Sequence, residues 1–532
     1  MKKHSIFAAM ALVLALVLLS FAACAGPDED VGQAAEPGVV AGADAGADAA
    51  VPATGRDTLN VVVAALPISM DPHMQLDMYS SMLGVQMFDT LFVLDPEDMT
   101  VQPRLAATWD RPDMETLNIT LRDDVYFHNG DRLTANDVRF SVERAMASPF
   151  VGFIVGMVDG VVVHDDLNLT ITTSEPFAPL MNHLSHFGTA IMSERAYNEF
   201  GSAEIHNNPI GTGAFRFESI ALGDRVVLRR FDDYWGQMPA FSTIEWRAMP
   251  EATNRLIEVE AGHADIALEI NPIDIARAEA SPSIVMHRRM GIGVHYLGLN
   301  LLKEPFDDIR VRHAIAHALD LETISSIVYE GAGAPGIGPI SASVWGSHPV
   351  PLFEHNVERA RELMAEAGLA DGFETTLWFN TEDAQYELAV QIMQSQLREI
   401  GIEATIQSFE WATYLELTEM GEQEMFLLSW YTLTGDADYG LYDTSSTWGW
   451  GGGNRAFSGT PEIDELLRRG RQIGDAAERL EIYREVQYLI RDHAAKIYFQ
   501  QTEELHITTP QVRGFVVHPT GLHRMYGVTF VD

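Results

Sequence analysis

LRDDVYFHNGDRLTANDVRFS, residues 121–141, is the stretch on which the reading of this chain turns. Alternation leads into it: Leu117, Ile119 and Leu121 against Thr116, Asn118 and Thr120 predict a half-buried strand of an antiparallel or mixed sheet. Gly130 suits a turn. Thr134 then stands where a helix N-cap belongs, and Asn136 and Asp137 follow in the first turn, where partial positive charge collects.

Outward from this stretch, strands and helices mix. Strands are predicted at 59–66, 168–173 and 225–228, and a short helix at 253–262 ends on glycine. Gly211 and Gly213 permit a tight backbone turn before a strand at 215–217. The second half is richer in helix. Val311, Ala314, Ile315, Ala318 and Leu319 predict one helix over 310–331, and a helix over 358–368 closes on Ala-Gly. Ala389, Ile392, Met393, Leu397 and Ile400 form one stripe of a helix that Gly401 stops, and 402–406 alternates as a strand. A glycine-capped helix followed at once by such a strand belongs to an α/β layer. A helix over 477–494 precedes a strand holding Tyr498 and Phe499.

The N-terminus is of another kind. Lys2 and Lys3 lead an apolar run over 6–23 that ends Phe21-Ala-Ala-Cys24, and Cys24 is the single cysteine. This is the pattern of a secretory signal, residues 1–23, with a lipobox-like end whose Phe21 replaces the usual leucine. Cys24 is then the lipidation site, and residues 24–56 form an acidic Ala/Gly linker with too little apolar surface to fold. As a flexible coil the linker spans roughly 30 Å.

The whole sequence holds 35 Lys and Arg against 76 Asp and Glu, net −41. Such a surface excludes a nucleic-acid binder and repels anionic headgroups, so membrane attachment must come from lipid. With Cys24 lipidated no disulfide is available, and a body of this length needs at least two lobes.

Enzyme motifs are missing. The glycine-rich 331–338 is not followed by Lys-Ser or Lys-Thr, so it makes no phosphate loop. His183 and His186 lack the glutamate of a zinc-hydrolase spacing, and no Gly-x-Ser-x-Gly elbow occurs. The sole cysteine is taken by the anchor.

What remains is an ordered set of segments: 121–130 and 133–141, NPIGTGAFRF at 208–217, GHADIA at 262–267, Leu299-Asn300 with PFDDIRVRHA at 305–314, ARELMAEAG at 360–368, LREIGI at 397–402, and Ser429-Trp430. Together these resemble the family 5 extracellular solute-binding proteins, the peptide- and nickel-binding components of ABC importers. The resemblance covers residue 57 to the C-terminus. It implies an α/β, bilobal periplasmic-binding-protein fold of type II, with an enlarged discontinuous first lobe. Mapped here, lobe I is 57–294 plus 505–532 and lobe II is 295–504, with hinge strands near 295–300 and 498–502. The implied protein is no enzyme, carries no cofactor or metal, and is a monomer. Its partners are a peptide or other small-molecule ligand, permease and ATPase subunits, and the membrane through its lipid; it sits outside the cytoplasm, on the periplasmic face if there is an outer membrane.

The segment most suited to touch ligand is SWYTLTGDADYGLY, 429–442. Trp430 and Tyr431 offer an aromatic wall at low entropy cost, Gly435 a turn, and Asp436 and Asp438 carboxylates for an ammonium group. Packing aromatics and solvated acids are the alternative. In the dipeptide-binding branch an Asp three residues after the tryptophan pairs the α-ammonium; Leu433 stands there here. The later acids are closer to the glutathione-binding branch. Arg455 is the candidate for a ligand carboxylate, Asn300 a further polar contact, and Ser69 in the 67–72 entry loop and Tyr79 the contribution of lobe I. Within the resemblance, a nickel chelate, heme, an oligosaccharide, or peptide sensing without a transporter are the alternatives to import of short peptides.

Overall fold

The computed structural model describes residues 56–381 and 383–531. The signal, Cys24 and the linker up to residue 55 lie outside the described residues.

Ten strands form one continuous sheet. Across it they run Ile402–Phe409, Phe373–Asn380, Met425–Tyr431, Val285–Leu299, Lys496–Thr508, Ile266–Ala267, Thr58–Val63, Thr243–Ala248, Arg225–Arg230 and Phe215–Ala221. Parallel and antiparallel pairs mix: Thr58–Val63 runs parallel to Thr243–Ala248, and Val285–Leu299 antiparallel to both of its neighbours. A separate four-stranded antiparallel sheet holds Ala106–Asp110, Thr116–Leu121, Asn168–Thr173 and Val158–Val163. In Thr116–Leu121 the buried residues are Leu117, Ile119 and Leu121, as the alternation requires.

Two strands are long for a globular protein: 15 residues in Val285–Leu299 and 13 in Lys496–Thr508. At one end Thr508 pairs with Ile266 beside the first strand of the body; at the other, Leu299 pairs with Met425. Their mutual register shifts between Met290 and Val294 and again at His295–Tyr296. The expected lobe boundaries, 294/295 and 504/505, fall inside these two strands.

Residues 121–141 are scaffold. Helix Ala135–Met146 starts after Thr134, whose backbone N–H and hydroxyl donate to Asp137 Oδ2 at 3.0 and 2.7 Å. His128 clasps the 208–217 segment: its N–H donates to Gly211 O at 3.0 Å and Nε2 meets Gly213 O at 3.0 Å. Burial lowers this imidazole to about 4, so it is neutral and donates from Nε2. Gly211 and Gly213 serve a purpose other than the expected turn freedom. Neither has positive φ; a Cβ at Gly211 would lie 2.1 Å from Met87 O, and one at Gly213 2.5 Å from Met87 C. They let this segment press against the end of helix Met78–Met87.

One expected helix is two. Ile309–Ala318 stops at Leu319-Asp320, and Asp320 caps Leu321–Tyr329 by accepting from Thr323 N at 3.0 Å. The apolar stripe continued across the break, so periodicity did not reveal it. Ala389, Met393 and Leu397 are buried on helix Tyr386–Arg398, and Gly401 follows with φ +83°.

Gly213→Ala should destabilise the fold by about 1–3 kcal/mol, because the new methyl meets backbone that cannot rotate away. Urea unfolding measures this; an unchanged midpoint would mean that the 208–217 segment is not held against the helix end.

Candidate functional site

The two long strands and Met425–Tyr431 present one shared face. Gly293 pairs with Tyr431 and His295 with Ser429, so these residues point the same way. Gly291 and Gly293 lack side chains there, and their neighbours fill the space. A Cβ at Gly293 would lie 2.7 Å from Tyr431 Cε1 and 2.8 Å from Thr502 Oγ1; one at Gly291 would lie 3.1 Å from Glu504 Oε1. Thr502 Oγ1 also accepts from Gly293 N at 3.0 Å. Tyr431, Thr502 and Glu504 therefore sit together over the register shift.

Groups from distant segments converge on this face. His295 Nδ1 meets the Tyr386 hydroxyl at 2.9 Å and lies 3.7 Å from Asp383. Tyr79 reaches in from helix Met78–Met87 and hydrogen-bonds Glu269. Glu269 has φ +57°, rare for a residue with a side chain, and its Oε2 is buried without a hydrogen-bond partner. Burial raises the carboxyls of Glu269 and Asp383 and the hydroxyls of Tyr329, Tyr386 and Tyr431. After burial, the Tyr431 hydroxyl is raised by the charges of Glu504, Asp383 and Glu269 together.

Glu504, His506 and His523 place three donor atoms within 4.8 Å of one another, the spacing of a metal site. The hydrogen bonds do not suit a metal. Nδ1 of His506 accepts from Glu269 N and Nδ1 of His523 from His518 N, each at 3.1 Å. In both neutral rings the proton is thus assigned to Nε2, which faces Glu504 Oε2 at 3.2 and 3.9 Å. The lone pairs a metal needs are occupied; His506 Nε2–H donates to Glu504, and His523 Nε2 is left without a hydrogen-bond partner.

Of the residues expected to meet ligand, Tyr431 and Tyr79 lie at this face. Trp430 points to the opposite side of the sheet, its ring 5.6 Å from Tyr439 and its Nε1 buried without a partner. Ser69 stabilises its own turn by accepting from Asp71 N at 3.1 Å. Gly435, φ +68°, packs under Leu94 and Met99.

Four residues expected to meet ligand are engaged within the protein. Asp436 binds Arg479 at 2.8 and 3.0 Å, and Asp438 binds Arg471 at 2.8 and 3.1 Å. Both acids are buried, 2% and 1% exposed, so their charges are spent on arginines instead of a ligand. Burial would raise the Asp438 carboxyl, but Arg471 and His183 outweigh it and hold it well below the usual range. Arg455 turns away, donating to Thr418 Oγ1 at 2.8 Å and to Leu415 O. Asn300 uses its whole amide: Nδ2 donates to Gly421 O and Gln423 O at 2.9 and 2.8 Å, and Oδ1 accepts from Leu302 N at 3.0 Å.

Beside the shared face lies a cavity of about 430 Å³, lined by Met78, Leu94, Arg104, His186, Leu433 and Tyr526 among others. The two adjoin: a Cβ at Gly521 would lie 3.5 Å from Glu504 Oε2 and 3.7 Å from Met78 Sδ. His186 Nδ1 accepts from Gly188 N at 2.9 Å, which leaves an Nε2–H that is buried and unpaired.

A family model described as bacterial extracellular solute-binding proteins, family 5 Middle, matches residues 100–452. The dipeptide-binding protein of Escherichia coli K12 is 28% identical over 461 residues, 81% of this chain and 86% of that protein. The glutathione-binding protein GsiB of Pectobacterium atrosepticum is 28% identical over 487 residues, 87% of this chain and 92% of its own. DppA of Helicobacter pylori, an ABC transporter-associated periplasmic binding protein solved with the peptide STSA, superposes with a TM-score of 0.82 at 25% identity, over 90% of this chain and 99% of its own.

Asp438→Asn should cost about 3–5 kcal/mol, since it leaves Arg471 buried without its countercharge. The wild-type pair has a depressed carboxyl, so its contribution is full above the ordinary carboxylate pKa and lost as pH falls below it. Urea midpoints from pH 7 to pH 2 should converge for the two proteins; a constant gap would locate the effect elsewhere.

Proposed function

Because the chain belongs to the family 5 bacterial extracellular solute-binding proteins, we propose that it captures a short peptide between two lobes and delivers it unaltered to an ABC permease for import. The family is one of solute-binding proteins that act outside the cytoplasm, and the fold is that of the type II peptide-binding members. The observation that carries the reading is the convergence at Tyr431, where side chains from helix Met78–Met87, both long strands and the 383–386 segment meet beside a cavity of about 430 Å³. That volume lies within the range of small-molecule sites. We take lobe I as 57–294 with 505–532 and lobe II as 295–504, joined by the two long strands.

In this reading Tyr431 and Tyr79 supply flat contact and hydroxyls, and His186 supplies a donor for a peptide carbonyl. Trp430 supports the wall from behind. Groups on two lobes meet one solute only when the lobes are together, so the solute shifts the population to the closed form. Moving a 1% closed population to 99% needs about a 10⁴-fold preference, roughly 5.5 kcal/mol. The closed protein then docks on permease and ATPase subunits. Among the described residues no helix is long and apolar enough to cross a membrane; lipid on Cys24 is the proposed anchor.

Native mass spectrometry of unrefolded protein should show a co-purified peptide, and its addition to the solute-free form should shrink the radius of gyration in solution scattering. An unchanged envelope with every retained solute would end the two-lobe capture reading. Tyr431→Ala should weaken that peptide at least tenfold by calorimetry, about 1.4 kcal/mol, without lowering the melting temperature by more than a few degrees. Cys24→Ser should move the protein from the membrane pellet to the soluble fraction; continued pelleting would refute the lipid anchor.

A further inference from the structure

Several buried carboxylates are matched by arginine: Asp71 by Arg144, Asp89 by Arg104, Asp436 by Arg479 and Asp438 by Arg471. Two others, Asp137 and Asp274, are held by hydroxyls and backbone. Glu269, Asp383 and Glu504 are partly buried and face the site. Among the described residues none of the three makes an ion pair with lysine or arginine; Asp383 and Glu504 lie beside imidazoles. Arg255 is close to Glu269, but its guanidinium donates to the backbone oxygens of Leu268, Met249, Pro250 and Glu269. His295, beside Asp383, has its pKa lowered by burial and is engaged with the Tyr386 hydroxyl, and the His523 ring is likewise pushed to the neutral form. Carboxylates at this face thus outnumber the cations paired with them.

A second observation is independent of the acids. Tyr329 is buried, 8% exposed, and its hydroxyl has no hydrogen-bond partner. It faces the Asp383 carboxylate and the Tyr431 hydroxyl. An unpaired hydroxyl at this depth costs free energy unless something that enters the site completes it. Glu269 Oε2 is left in the same condition. His506 Nε2–H donates to Glu504 Oε2 at 3.2 Å, while the nearby His523 Nε2 is buried without a hydrogen-bond partner.

We infer that the three carboxylates around Tyr431 receive the positively charged end of the solute, and that this protein selects cationic solutes: peptides with a free α-ammonium, and above all those with added Lys or Arg charge. The inference rests on the capture reading and narrows it. It disfavours solutes with net negative charge, glutathione among them, because a second anion would be brought against three acids without a cation to separate them.

Calorimetry of the full chain tests this with lysyl-lysine, alanyl-alanine, glutamyl-glutamate, N-acetyl-alanyl-alanine and the non-peptide spermidine. Lysyl-lysine should bind at least tenfold tighter than alanyl-alanine, and the acetylated and acidic peptides at least tenfold weaker. Glu504→Gln and Asp383→Asn should each reduce the lysyl-lysine preference at least tenfold with an unchanged melting temperature, while Glu269→Gln provides a third, independent removal of charge. Equal affinity for lysyl-lysine and glutamyl-glutamate, or a preference untouched by all three variants, would overturn the inference and leave peptide capture standing. Binding of spermidine with none of the peptides would sustain the cationic site and overturn the peptide reading. Binding of no probe at all would overturn both.

Discussion

The structure depends on two long antiparallel strands at the middle of the ten-stranded sheet. Val285–Leu299 and Lys496–Thr508 pair along most of their length, with the first strands of the body beside one end and Met425–Tyr431 beside the other. A continuous ladder makes such a connection stiff, and a register shift bends it at a chosen place. Here the shift falls at residues 291–293, where two glycines remove the side chains that would occupy the concave side. The same two positions therefore set where the ladder is interrupted and where Tyr431, Thr502 and Glu504 gather.

Charge is handled in two different ways. On one side of the sheet, Asp436 and Asp438 face Arg479 and Arg471, and those guanidiniums stack on Trp345 and Tyr442 with the Tyr442 ring centre 3.2 Å away. A charge buried in this manner is held with its partner and has little left to offer a ligand. On the other side, Glu269, Asp383 and Glu504 make no ion pair with lysine or arginine among the described residues, and Asp383 and Glu504 lie beside histidines. The aspartates close together in the chain are thus structural, while the carboxylates without an arginine partner at this face come from segments scattered along it.

Much of the fold was legible in the sequence. The alternation at 116–121, the Thr134 cap with Asp137, the stripe Ala389, Met393 and Leu397, and the Gly401 stop all reappear in place, because each depends on contacts within one turn or one strand. The break at Leu319-Asp320 was missed since its apolar stripe runs on across it. Gly211 and Gly213 were assigned to a turn, whereas the reason for them is helix Met78–Met87, a neighbour remote in the chain.

The site was less legible. Asp436, Asp438, Arg455 and Asn300 are polar residues at suggestive positions, but position does not reveal whether a partner has already been found. Tyr431 and Tyr79 were within reach of aromatic content alone; Glu269, Asp383, Glu504 and the buried Tyr329 carried no motif. Sequence by itself determined the acidic balance, the α/β order of elements and the family, because these are properties of residues and their near neighbours. Only the tertiary structure decided which carboxylates stay without a cation, since ion pairing inside a protein is settled by three-dimensional approach between segments that the chain keeps far apart.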